Sequence, residues 1–348
     1  MTRFISERLS GLEPYVPGEQ PRDMSYVKLN TNENPFPPPA EVVDAASREA
    51  GRLNLYSDPE CLELRRAIAE REGLCAENVL ITNGSDEALS FLFFSLAGGF
   101  IFPNHTYGFY KVFCGLYGAD CEEAPLRPDF TVDTEQYIKS PKNAVIANPN
   151  APTGIFLPLS EIERILRSRD DRLVIVDEAY VDFGGESAVR LIDKYDNLAV
   201  VRTFSKSRSL AGMRLGYMLA SRELIADMDA VRCSINPYNL DRVALAAGKA
   251  SLECDEYFRD NLKTVIENRD HAVDGLKGLG FDVLPSSANF VFARKEGTSG
   301  GELYLSLKER GVLVRHFSKS GIEDYIRITI GTREQMDILL AKLKEILQ

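Results

Sequence analysis

Short apolar runs alternate with helix-patterned segments through the middle of this chain, and that rhythm constrains its fold more than any other feature. After NVLITNG come SDEALSFLFFSLAG, GGFIFPN, TYGFYKVFCGLYG and CEEAPL, and then AVIAN, LSEIERILRSR, RLVIVDEAY, NLAVVRTFSK and RLGYMLA. Apolar strands separated by helices predict an α/β layer on a mainly parallel sheet flanked by helices. In such sheets a ligand sits beyond the carboxyl ends of the strands. Asn83-Gly84, Asn148-Pro149, Asp177 and Lys206 all fall at those ends.

The pattern changes on either side of this layer. Near residue 250 a long helix, DEYFRDNLKTVIENRDHAVDGLKGLG, leads into FDVLP, NFVFARK and YIRITIG, which predict a smaller α+β domain. The first forty residues are proline-rich and end in LNTNENPFPPP, which excludes a regular helix or a central strand there. The expected division is an N-terminal arm over 1–39 packing near the small domain, a large domain over 40–250, and a small domain over 251–348 that begins with the long linking helix.

Composition narrows the function classes. The 41 basic and 52 acidic side chains leave a net charge of −11, which argues against binding nucleic acid or an anionic membrane. Any bound phosphate must therefore be met by local charge. The six cysteines form no CxxC pair and no ligand spacing with the three histidines, so no metal and no disulfide framework is expected. The start, MTRFISERLSGLEPY, has no apolar leader core, and no run is long and apolar enough to span a bilayer. A cytoplasmic, soluble protein is expected.

Thr203 to Arg214, TFSKSRSLAGMR, sets a lysine among hydroxyls with an arginine eight residues on. A lysine amine does covalent work by attacking a carbonyl to form an imine, and pyridoxal phosphate is the commonest cofactor held in that way. Taken alone, a lysine between serines is usually solvated surface, and the covalent reading needs other parts of a site. Two other classes lack their motifs. VIVDEA resembles the magnesium-binding strand of a nucleotide hydrolase, but no GxxxxGK[ST] occurs. No GxGxxG follows a strand, which removes a dinucleotide-dependent dehydrogenase. None of His105, His271 and His316 has a partner at catalytic spacing.

Eight segments in order decide between these readings: LNTNENPFPPP (29–39), LYSDPECLELRRAIA (55–69), NGSDEAL (83–89), TYGFY (106–110), NPNAPTG (148–154), VDEAY (176–180), TFSKSRSLAGMRLGY (203–217) and YIRITIGT (325–332). Together they resemble the fold-type I pyridoxal-phosphate (PLP) aminotransferases, and within them the histidinol-phosphate aminotransferase branch, from Leu12 to about Thr332. The resemblance implies amino-group transfer between glutamate and imidazole acetol phosphate in histidine biosynthesis. A threonine-phosphate decarboxylase or an aromatic amino-acid aminotransferase of the same fold is the alternative. A PLP-binding regulatory module is the non-enzymatic one; such proteins carry a winged-helix DNA-binding segment in front, which is not expected here, where a short proline-rich arm leads into the large domain.

The same resemblance implies the site. Lys206 holds PLP covalently and later moves a proton, Asp177 pairs with the ring nitrogen, and Tyr180 meets the phenolic oxygen. Gly84, Ser85 and Asp86 offer the phosphate the amino end of a helix, where free N–H groups and the dipole favour an anion. Thr203, Ser205 and Arg214 complete that grip, and Tyr107 stacks on the ring. Tyr56 matches a tyrosine that reaches the phosphate of a neighbouring subunit, which implies a homodimer. Arg327, Arg315 and Tyr15 face the substrate. Two positions depart from the family pattern: Ala151 stands where an asparagine is usual, with Asn150 expected to substitute, and Ser57 replaces a proline. Ser207, Arg208 and Ser209 are expected to be surface.

Overall fold

The computed structural model describes residues 4–6, 9 and 11–348. Its strands are β1 (Val27–Lys28), β2 (Val79–Thr82), β3 (Phe100–Pro103), β4 (Cys121–Ala124), β5 (Asn143–Ala147), β6 (Val174–Asp177), β7 (Leu198–Thr203) and β8 (Gly216–Ala220), followed by β9 (Asp282–Val283), β10 (Phe290–Arg294), β11 (Val312–Leu313), β12 (Arg315–His316) and β13 (Tyr325–Thr329). Seven of them form one sheet in the order β2-β8-β7-β6-β5-β3-β4. Only β8 runs antiparallel to its neighbours, so the sheet is mainly parallel, as the alternating pattern requires.

Why these runs are apolar at nearly every position follows from the two cores. Side chains alternate across a strand, and both faces of this sheet are covered. Val79, Ile81, Ile146, Val174, Val176 and Val200 pack toward the helices Leu62–Glu72, Leu159–Ser168 and Arg242–Glu253. Leu80, Val145, Ile175, Ala199 and Val201 pack the other way, toward Ser85–Ser95, Phe109–Tyr117 and Arg222–Ile235. Each fully buried Val, Leu or Ile contributes about 1.5–3 kcal/mol relative to exposure, which fixes strand register. The helices Arg222–Ile235 and Arg242–Glu253 lie in a stretch to which the sequence pattern assigned no element.

The second sheet, β12-β13-β10-β9, is antiparallel. It packs its own core, which includes Val291, Ala293, Ile326 and Ile328, against the 24-residue helix Asp255–Gly278 and the helix Arg333–Leu347. The arm is more deeply inserted than its prolines imply. β1 pairs in parallel with β11, and Leu29 is fully buried in this second core. YVKLN precedes the first proline of the motif, so its N–H groups remain free to join a strand: Leu29 N–H donates to Leu313 O at 2.7 Å.

Candidate active site

A cavity of about 340 Å³ opens beyond the carboxyl ends of the parallel strands, closed above by the arm and by the second sheet. Ser85, Asp86, Tyr107, Asp177, Tyr180, Thr203, Ser205, Lys206, Arg214, Arg315, Arg327 and Tyr15 all line it. Residues from widely separated stretches of sequence therefore meet in one place.

Lys206 leaves the end of β7 and points its amine across the cavity, donating to Thr31 O at 3.1 Å and lying 6.0 Å from the Tyr180 ring centre. Burial, and then the charge of Arg327, pull its pKa down from 10.5 to about 8, against the opposing pull of Glu33 and Asp86. An amine so placed is available unprotonated in mildly alkaline solution, which a nucleophile requires.

Asp177 ends β6 under the cavity floor. Its Oδ2 accepts a 2.7 Å hydrogen bond from the Tyr110 hydroxyl, and Oδ1 accepts from Ala179 N–H at 3.2 Å. Burial pushes its pKa up to about 6 in spite of these two donors. A cation set against the carboxylate would offset that cost. Tyr180 stands edge-on to Phe290, with ring centres 5.1 Å apart, and its hydroxyl accepts from Asn32 Nδ2 at 3.0 Å.

The opposite end of the cavity is shaped by two glycines. Gly84 has φ +77°, and a Cβ there would lie 2.7 Å from Arg214 Nη2. A Cβ on Gly216 would lie 2.5 Å from Gly84 C and Ser85 N. Both must lack side chains for the first amides of helix Ser85–Ser95 to stay open beside the Arg214 guanidinium. Thr203 and Ser205 add hydroxyls 2.9 Å apart. Asp86 turns its carboxylate to the Tyr107 hydroxyl at 2.8 Å and stands 3.6 Å from Arg214 Nη2.

Arg315 and Arg327 are directly opposed on β12 and β13. Each guanidinium lies near the Phe317 ring, at 5.4 Å and 5.5 Å. Arg315 donates to Val16 O and Pro17 O, and Arg327 Nη2 to Asn30 O at 2.9 Å. Arg327 Nε is buried with no hydrogen-bond partner among the described residues. Like charges facing each other across strands are destabilising, and an unpaired buried donor adds to that cost. An anion between them relieves both. Tyr15 stacks on Phe109 at 4.6 Å and meets Tyr107 edge-on at 6.0 Å, roofing this end. A second cavity of about 230 Å³ adjoins here, sharing Tyr15, Tyr107, Arg315, Phe317 and Arg327.

Two expectations are corrected, that for Asn150 and that for Ser207 and Arg208. Asn150 does not reach the cavity: its amide is spent on His105 O, Thr153 Oγ1 and Thr106 Oγ1 within the loop, at 2.7–3.0 Å, and Ala151 faces the cavity instead. Tyr56 is 79% exposed and stacks on Tyr238, outside the cavity of its own chain. Ser207 and Arg208 are buried, because Ser207 donates to Asp182 and Arg208 lies 3.6 Å over the Phe258 ring while donating to Ser251 O. Residues that the sequence pattern did not single out also contribute. Tyr110, Asn30, Thr31 and Asn32 all touch the named site residues, and the polar run LNTNEN carried the only local signal for three of them.

Residues 25–343 match the family aminotransferase class I and II. The chain is 50% identical over 354 residues to the histidinol-phosphate aminotransferase of Syntrophus aciditrophicus, covering 99% of this chain and 98% of that one. It is 45% identical to that of Clostridium acetobutylicum, covering 99% of each. In fold it is similar to a histidinol-phosphate aminotransferase from Sinorhizobium meliloti solved in complex with pyridoxal-5'-phosphate, with a TM-score of 0.90 at 24% identity over 100% of this chain and 98% of that one. The order of strands, the cavity at their carboxyl ends and these likenesses agree, and the chain belongs to the class I and II aminotransferases, in the histidinol-phosphate aminotransferase branch.

Proposed function

We propose that this chain binds pyridoxal 5'-phosphate and transfers an amino group between glutamate/2-oxoglutarate and imidazole acetol phosphate/histidinol phosphate, a step of histidine biosynthesis. The observation that carries the reading is one cavity joining a depressed-pKa lysine, a buried carboxylate and a glycine-cradled helix start to a pair of opposed arginines. The donor set fits the cofactor. Amides of Ser85 and Asp86, hydroxyls of Thr203 and Ser205, and Arg214 suit its phosphate. Asp177 suits its ring nitrogen, Tyr180 its phenolic oxygen and Tyr107 its ring face.

When bound, the cofactor supplies an electron sink for the substrate's α-carbon. Lys206 Nζ, unprotonated, would be the group that takes up and carries the proton of that carbon. Asp177 keeps the ring nitrogen protonated, which its burial makes effective because a lone carboxylate there is poorly solvated. Arg327 grips the carboxylate of glutamate, and it shares the phosphate of the other substrate with Arg315. The adjoining 230 Å³ cavity gives the longer substrate room, with Tyr15 over it.

Leu53, Leu55, Tyr56 and Tyr238 are exposed apolar side chains, and the Tyr56 and Tyr238 rings stack 4.4 Å apart; such exposure suits a homodimer, across which Tyr56 serves the phosphate end of the partner's site. The working parts are the arm over 1–39, the large domain over 40–250 and the small domain over 251–348. The protein works in the cytoplasm, and among the described residues no helix is long and apolar enough to cross a membrane.

Purified enzyme supplied with PLP is given histidinol phosphate and 2-oxoglutarate, and phosphothreonine in a separate vessel. Glutamate release from the first is expected. Carbon dioxide from the second with no glutamate from the first would overturn the substrate assignment. Borohydride should fix the cofactor to wild type and not to Lys206→Ala; no fixation in wild type would remove the covalent role.

A further inference from the structure

Tyr180 has its ring fixed by Phe290, so the one freedom left to it is the direction of its hydroxyl proton. We propose that Asn32 is a positioning residue that sets this direction, holding the Tyr180 proton toward the cavity. The inference rests on the reading of the cavity as a cofactor site.

A hydrogen-bond chain of single polarity carries the argument. It starts at the backbone N–H of Asn32, which can only donate, and which donates to Thr329 Oγ1 at 3.0 Å. Thr329 is buried, and its hydroxyl donates in turn to Asn32 Oδ1 at 2.9 Å. The amide oxygen is thereby committed to Thr329, and Nδ2 is left facing Tyr180, to which it donates at 3.0 Å. With the amide turned over, two donors would face Thr329 Oγ1, and the threonine proton would lose its acceptor in a dry place. The observed orientation is therefore the favoured one.

Tyr180 oxygen, accepting from Asn32, directs its own proton away from it, into the cavity beside Lys206. Asn32 is itself pinned by the residue just before β10, because Asn289 Nδ2 donates to its carbonyl at 2.9 Å. The preceding residue gives its carbonyl to Lys206 Nζ. One short stretch of the arm thus orients two groups of the site, and it does so only while docked on β10 and β13.

The test reads the pH midpoint of the visible absorption band of bound PLP, together with the dissociation constant of PLP, on the full-length holoenzyme. A donor to the phenolic oxygen favours its more anionic form, so removing the donor raises the midpoint. Tyr180→Phe should raise it, and Asn32→Ala should raise it in the same direction, by about threefold to tenfold in proton affinity. Thr329→Val, which keeps the shape of the strand and removes both Thr329 hydrogen bonds to Asn32 while Asn289 still holds its carbonyl, should give a smaller rise. In the Tyr180→Phe background, Asn32→Ala should add nothing further. A purely structural role for Asn32 would instead add its full effect there, and that result overturns the inference. So does a midpoint moved by Tyr180→Phe but by neither Asn32→Ala nor Thr329→Val. A midpoint unmoved by Tyr180→Phe overturns the reading of the site itself, and the inference with it.

Discussion

Replacing Asp177 by asparagine should stabilise the cofactor-free protein while crippling its chemistry, and the size of the gain follows from the burial of the carboxylate. Its pKa is raised from 3.8 to about 6, so its proton is held more tightly in the folded state than in the unfolded one. At about 1.4 kcal/mol for each tenfold change in proton affinity, the ionised group costs the fold about 3 kcal/mol above pH 6. That cost fades as pH falls from about 6 toward 3.8, where the carboxyl is neutral folded and unfolded. Asparagine removes the charge but offers one oxygen to the two donors, Tyr110 and Ala179, and so forfeits one hydrogen bond worth about 1 kcal/mol. The net gain is about 2 kcal/mol at pH 7.5. For a chain of this length the unfolding entropy is about 0.7 kcal/mol/K, so Tm should rise by about 3 °C. Thermal melts of the apoprotein at pH 7.5, 6 and 4.5 check it: the variant should lead at pH 7.5 and lose its lead by pH 4.5. A variant that melts lower than wild type at pH 7.5, or a gap that does not change with pH, would refute the argument that the cost of burying this charge outweighs the hydrogen bond it keeps.

Three further outcomes are expected. The Lys206 amine of the apoprotein should react with an acylating reagent along a titration curve centred near pH 8, absent in Lys206→Ala; its charged form is the one that burial penalises, so its cost to the fold fades as pH rises from about 8 toward 10.5. A midpoint near 10.5 would show the amine to be solvated. Gly216→Ala should destabilise the protein by about 1–3 kcal/mol and weaken PLP binding, since the added methyl meets the Gly84 and Ser85 backbone at 2.5 Å; thermal melts and a PLP titration read both effects. Arg327→Lys should raise KM for glutamate and for histidinol phosphate by about tenfold or more because an ammonium cannot reproduce the fork, whereas Arg315→Lys should act on the phosphate substrate alone. Equal effects of Arg315→Lys on both substrates would remove the division of labour between the two arginines.

How much of this was legible in the sequence depended on whether the determinant was local. The parallel sheet was legible because strands such as Val174–Asp177 are buried on both faces and announce themselves as apolar runs. Lys206 and Asp177 were legible because they stand where such runs stop. Asn150 was misread because adjacent residues in a tight loop point in different directions, and sequence order alone does not say that Ala151 takes the cavity side while Asn150 braces the turn. Arg208 was misread because charge alone suggests a surface; only the fold shows Phe258 beneath it and Ser251 O beside it.

The arm shows the physical limit most clearly. Asn and Pro, which favour turns, dominate NTNENP, and locally nothing separates a solvated turn from a buried one. What separates them is a set of partners nearly three hundred positions away: Thr329 for Asn32 and Arg327 for Asn30. Buried polar groups persist only when hydrogen-bonded, and Asn30 and Asn32 are both buried. A dense polar run directly after a strand-forming segment therefore has two stable fates, full solvation or full pairing inside the fold. In this chain it is paired, and the second sheet thereby reaches Tyr180 and Lys206 through Asn32 and Thr31. Loosening the arm on the second sheet should therefore disturb the cofactor before it disturbs the fold, which is the order of events that Thr329→Val separates.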